Sequence, residues 1–153
     1  MFRMSSLIVL ALACLAVPVL ADEGFALLTP GEIAQWQAAP EATRGISLSR
    51  KDGPKIRVNA PTDSSLVSPV SFDVDLLPRD GVAPDPDTLK IEYGLGPIWM
   101  DVTSRIRAHA RMTGSHFEAT GAELPVGKHR LRLSVADAKG RITVADIQLT
   151  ISN

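Results

Sequence analysis

The sequence predicts an all-β chain: an antiparallel β-sandwich of about seven to eight strands, preceded by one short helix. Three observations carry that expectation. From residue 54 onward, segment after segment alternates apolar and polar residues with a period of two, as half-buried strands do. Clusters of Gly, Pro, Asp and Ser separate those segments at short intervals. A helix-capping signature stands only near the start, at Thr29-Pro30-Gly31-Glu32.

Residues 1–21 read as an export signal. Arg3 supplies a positive start, Leu7 to Leu20 is an apolar run broken by Pro18, and Val19-Leu20-Ala21 offers small residues before Asp22 and Glu23. The run is too short for a membrane span of about 20 residues. Cleavage after Ala21 would leave 132 of the 153 residues, and losing Arg3 but no acid would move the formal charge from -1 to -2. It would also remove Cys14, the single cysteine, leaving an exported domain without a disulfide. Lipid attachment at Cys14 is the lesser alternative, because Ala11-Leu12-Ala13 fits a lipobox poorly. The expected compartment is periplasmic or extracellular. At 45% hydrophobic and 22% charged residues, the composition is that of a globular domain, neither disordered nor made for nucleic acid.

Residues 22–53 divide into a helix and a linker. Thr29 is the expected N-cap, with Pro30 at N1, Glu32 closing a capping box, and Leu28 and Ile33 placed as a hydrophobic staple. A helix ending before Pro40 is too short to stand alone, so its Ile33/Trp36 side must dock. Its host is either its own sandwich, the preferred reading, or a partner. Ala42 to Pro54 reads as the linker.

Residues 54–153 carry the sandwich. Expected strands run around Ile56 and Val58, along Val70, Phe72, Val74 and Leu76, and along Leu89, Ile91 and Tyr93. Further strands follow Ile98, Met100 and Val102, then Ile106, Ala108, Ala110 and Met112, then Phe117. A long hairpin from Leu124 to Ile151 closes the chain, with His129, Leu131, Leu133 and Val135 inward and a type I turn at Asp137-Ala138-Lys139-Gly140. Ile142 and Val144 differ in parity from Ile147, Leu149 and Ile151. The pattern therefore predicts a β-bulge near Ala145-Asp146 or a crossing between sheets there.

Asp85-Pro86-Asp87-Thr88-Leu89 entering a strand, Leu124-Pro125-Val126-Gly127-Lys128-His129, and Asp137-Ala138-Lys139-Gly140 together resemble the bacterial Ig-like or fibronectin-III-like domains of exported proteins. The likeness covers roughly residues 54–152 and rests on turns and strand entries. It implies the sandwich fold and a role in adhesion, spacing or recognition.

Several residues are candidates for binding. Arg105, Arg107 and Arg111, with His109 between them, alternate outward on one expected strand, and Arg130 and Arg132 do so on another. If those faces adjoin, they form a patch for carboxylates or phosphates. The plainer reading is cross-strand pairing with Asp73, Asp75 and Glu92. Trp99 is expected outward beside Gly96-Pro97, where it either stacks on a sugar or fills a partner's pocket, or is covered by a loop or the helix. Asp80, Asp85 and Asp87 share a loop, but Asp before a strand more often serves a turn than calcium. His109, His116 and His129 lack metal spacing, and no nucleophile or phosphate-loop motif is present. The expectation is thus a non-enzymatic envelope module without cofactor, resident metal, nucleic-acid partner or transmembrane span. Its partner would be another envelope protein. The alternative is a carbohydrate- or anion-binding module using Trp99 and the arginines.

Overall fold

A computed structural model describes residues 24–38, 50–63 and 65–153. The export signal, Cys14 and most of the expected linker lie outside the described residues. In chain order the elements are β1 (Phe25–Ala26), α1 (Pro30–Ala38), β2 (Lys55–Ala60), β3 (Ser65–Val67), β4 (Val70–Leu77), β5 (Pro84–Leu95) and β6 (Ile98–Asp101), followed by α2 (Thr103–Arg107), β7 (Ala110–Thr113), β8 (His116–Glu123), β9 (Gly127–Asp137) and β10 (Ile142–Ser152). They form an all-β sandwich of two five-stranded sheets. The first has the order β1-β8-β4-β2, with β7 also on β8, and the second has the order β3-β10-β9-β5-β6. The expected count falls short because β1 and β3 are fragments that alternation cannot flag. Both pair in parallel, β1 with β8 and β3 with β10.

Alternation places the core as expected. Val70, Phe72, Val74 and Leu76 of β4, with Phe117 of β8, face Leu89, Ile91 and Tyr93 of β5 and Leu131, Leu133 and Val135 of β9. Each of these large side chains contributes about 1.5–3 kcal/mol by leaving water. The closing turn also forms as read: Gly140 N–H donates to the Asp137 carbonyl at 2.8 Å, with Gly140 at φ 75°. The Asp137 carboxylate, buried beneath, accepts from Lys139 N (2.9 Å), Arg141 N (3.0 Å) and Arg141 Nε (2.7 Å).

Two expectations are corrected. First, β10 has neither a bulge at Ala145-Asp146 nor a sheet crossing: it pairs with β9 without interruption from Ile142 opposite Ala136 to Ile151 opposite Gly127. Cross-strand neighbours share a face, so inward Val135 and Leu133 bring Thr143 and Ala145 inward. Ile142 is turned out and is 37% exposed. Register shifts fall instead within β2, β4 and β5. In β5 the ladder breaks between Asp85 and Lys90, and the Thr88 hydroxyl bridges the gap by accepting from Ala136 N at 2.8 Å.

Second, Arg105 and Arg107 stand on α2, not on a strand. Val102 N–H donates to the Ile91 carbonyl at 2.9 Å, and the Thr103 hydroxyl then accepts from Ile91 N at 2.8 Å. This ends β6, and one helical turn carries the chain across to β7, with Ile106 as its buried residue. At the end of the expected linker, residues 50–53 run beside β10, with Val144 N donating to the Arg50 carbonyl at 2.7 Å.

Candidate functional site

The docking of α1 sets one end of the molecule. Its capping box forms: Thr29 N donates to Glu32 Oε2 at 2.7 Å, and Glu32 N donates to Thr29 Oγ1 at 3.4 Å. Leu28 is buried and Ile33 and Trp36 pack against the sandwich core, so the helix docks on its own domain. Trp36 stacks on the His129 ring, centroids 4.8 Å apart, and lies against Gly127, whose φ of 140° suits only glycine. His129 Nε2 lies 2.7 Å from the Pro125 carbonyl, an acceptor only, so that nitrogen carries the proton. Nδ1 then accepts from the Tyr93 hydroxyl at 2.5 Å. Burial holds the His129 pKa below its ordinary value and raises that of Tyr93.

The five candidate arginines do not form one stripe. Arg105 is spent on the N-terminal segment: Nη1 donates to Leu27 O (3.1 Å) and Glu32 Oε2 (2.7 Å), and Nη2 to Glu32 Oε1 (2.8 Å). That guanidinium, chiefly, lowers the Glu32 pKa to about 2. Arg107 Nη2 donates to the carbonyls of Pro86, Asp87 and Leu89 at 3.0, 3.1 and 3.1 Å. Arg111 lies on β7 of the first sheet opposite Glu118. Arg130 and Arg132 belong to β9 of the second sheet, and only they share a face with Trp99.

These three side chains are the candidate site. Trp99 stands on β6, opposite Gly94 of β5. Gly94 leaves room there, and Arg130 fills it, with Nε 3.2 Å from where a Cβ would stand. The Arg132 and Arg130 guanidinium carbons lie 4.0 and 5.2 Å from the centre of a Trp99 ring, cation–π geometry for both. Arg132 is also clamped by Asp146, Nε to Oδ1 at 2.7 Å and Nη2 to Oδ2 at 3.0 Å, and Arg130 donates to the Gly96 carbonyl. The indole is therefore held, half-buried, on the strand that ends the second sheet. Ile98 beside it is 65% exposed.

Of the acids expected to face the arginines, Glu92 does stand opposite Arg132 in the β5–β9 ladder, though its hydrogen bond comes from another residue, and Asp75 pairs elsewhere. Glu92 takes Lys90 Nζ at 2.6 Å. Asp75 takes Arg57 Nη2 (2.7 Å), Asn59 Nδ2 (2.8 Å) and His116 Nδ1 (2.9 Å), which lowers its pKa and raises that of His116. The sequence analysis missed that cluster because Arg57 and His116 meet only through the β2-β4-β8 register. Of the loop acids, Asp80 bonds Arg141 at 3.0 Å and Asp85 accepts from Asp87 N at 3.2 Å. Among the described residues, no group of three or more His, Cys, Asp or Glu is placed to hold a metal, and no helix is long and apolar enough to cross a membrane.

No protein-family model and no curated protein matches the chain. Among solved structures, CopC from Methylosinus trichosporium OB3b is similar at TM-score 0.44 and 14% identity, over 67% of this chain and 94% of that one. An engineered protein is similar at TM-score 0.44 and 14% identity, over 65% of this chain and 20% of its own. At that distance the fold assignment rests on the strand order of this chain itself.

Proposed function

We propose that residues 54–153 form an Ig-like, non-enzymatic recognition module of an exported protein, engaging another polypeptide of the cell envelope through β6 and Trp99. The Ig-like reading is supported by strand order. The run β7-β8-β4-β2 corresponds to the D-E-B-A order of such sandwiches, and β10-β9-β5-β6 corresponds to G-F-C-C′. Export is supported by residues 1–21. The absence of a reaction centre is supported by the structural partners of the buried His129 and Asp137.

The observation that carries the recognition reading is Trp99 fixed beside two arginines on a terminal strand. A tryptophan that has already lost its rotamer freedom gives contact area at low entropic cost, and Trp and Arg dominate binding hot spots. Against the glycan or anion alternative, Arg132 is committed to Asp146 and both guanidinium groups already lie against the indole. The test sets the immobilised chain against envelope extract and, in parallel, a glycan array. The expected result is a captured polypeptide that is lost with Trp99→Ala and Trp99→Pro. Capture unchanged by both substitutions, or glycan binding lost with Trp99→Ala, would overturn the reading.

A further inference from the structure

We infer that the polypeptide which fits β6 is a second copy of this chain, joined by antiparallel β6–β6 pairing about a two-fold axis at Met100. This rests on the reading above that the β6 edge recognises a polypeptide, and it adds the identity of the partner and the register.

The argument starts from the β5–β6 ladder. In an antiparallel pair, both backbone groups of a residue point to the same side, and successive residues alternate. The two-residue turn at Gly96-Pro97 and the Val102 N–H to Ile91 carbonyl bond set the phase, so Ile98 and Met100 spend their backbone groups on β5, as Val102 does its N–H. The N–H and C=O of Trp99 and Asp101 are thereby directed to the open side, where no strand follows among the described residues.

Three two-fold registers use those groups, and one fits. Centring on Asp101 sets two carboxylates face to face, which repels. Centring on Trp99 brings Asp101 opposite Pro97, which has no N–H to give. Centring on Met100 pairs Trp99 with Asp101 of the second copy and Asp101 with its Trp99, a doubly hydrogen-bonded pair on each side of the axis. It is also complementary in charge through Arg130. The Asp101 carboxylate, which accepts from its own Thr103 N and has Lys90 only at a distance, comes beside an indole on which Arg130 is stacked. That guanidinium donates to the Gly96 carbonyl and, unlike Arg132, is not clamped by Asp146, and this happens twice. On the other face of the joined sheet, half-buried Met100 meets its counterpart at the axis, and exposed Ile98 comes diagonally beside that second Met100. Four residues per copy make a seam smaller than the roughly 1,200 Å² of a standard interface, so the dimer is concentration-dependent.

The pair at the axis is non-hydrogen-bonded, with Cα atoms about 4.5 Å apart, within disulfide range. Met100→Cys in a Cys14→Ser background is therefore expected to give disulfide-linked dimer on mild oxidation, at least tenfold faster than Val67→Cys at the exposed end of β3. Sedimentation velocity of the full chain should show monomer passing to dimer with concentration. Trp99→Pro should abolish the dimer, because it deletes an N–H that only the second copy uses, whereas Trp99→Ala, which gives up the same indole contacts but keeps that N–H, should still dimerise at higher concentration. Sedimentation as monomer throughout, or Met100→Cys crosslinking no faster than Val67→Cys, would overturn the dimer. A monomer that still loses envelope capture with Trp99→Pro sinks the dimer alone, whereas capture indifferent to Trp99→Pro sinks the edge-recognition reading with it.

Discussion

Tyr93 and His129 are 0% and 1% exposed, and each satisfies the other. Tyr93→Phe leaves the ring nitrogen Nδ1 buried without its donor, and His129→Phe leaves the tyrosine hydroxyl buried without its acceptor. Each single change should cost about 1–3 kcal/mol. Changing both replaces two polar partners by apolar groups of similar shape, so the double variant should lose clearly less than the two losses added together. It retains one cost, the Pro125 carbonyl deprived of its ring donor. Protonation supplies a second signature. Burial depresses the folded pKa of His129, so between that value and the unfolded value of about 6.5 the unfolded chain holds the extra proton. The contribution is full above pH 6.5 and declines as pH falls, with a slope approaching about 1.4 kcal/mol per pH unit. Urea unfolding at steps from pH 7.5 to 5 measures it, above the range in which unfolded carboxylates titrate. A slope unchanged in His129→Phe, or additive losses in the cycle, would refute the buried neutral pair.

Four further predictions address other parts of the fold. Glu32→Gln breaks the bidentate bond to Arg105 and should cost about 1 kcal/mol, modest because the pair is partly solvated. In the parent chain the same contribution is present above pH 4.5 and is lost as pH falls through about 2. Deleting residues 22–45 should cost about 5 kcal/mol or more, because Phe25, Leu27 and Leu28 are core, and an unchanged melting temperature would refute the docked helix. His116 should titrate above 6.5 by NMR and fall toward that value in Asp75→Asn. Its stabilisation is present below pH 6.5 and lost as pH rises through the folded value, so a resonance unmoved by Asp75→Asn would contradict the pairing. Gly53→Ala would place a Cβ 2.3 Å from the Arg141 carbonyl, and the melting temperature should drop by about 4–8 °C. Full retention would mean that residues 50–53 do not lie on β10 as described.

The sequence by itself determined the sandwich class, the capping box at Thr29 and Glu32, the inward faces of β4 and β9, and the turn at Asp137 to Gly140. These are local matters: a period of two, a cap three residues from its partner, and a glycine at φ 75° follow from neighbours along the chain. Tertiary structure decided the rest. Ile106, Ala108, Ala110 and Met112 alternate like a strand, yet Thr103 bonding back to Ile91 turned the first of them into α2. Ile142 and Val144 looked like core, yet the β9 register put Thr143 there instead. The arginines of one apparent stripe went to Glu32, to three carbonyls, to the face opposite Glu118, and to Trp99, because which sheet a residue joins depends on strands distant in sequence. The Trp99–Arg130–Arg132 cluster is of that kind: it exists because Gly94 leaves a hollow between β6 and β9, and no periodicity along a single strand records what lies across the sheet.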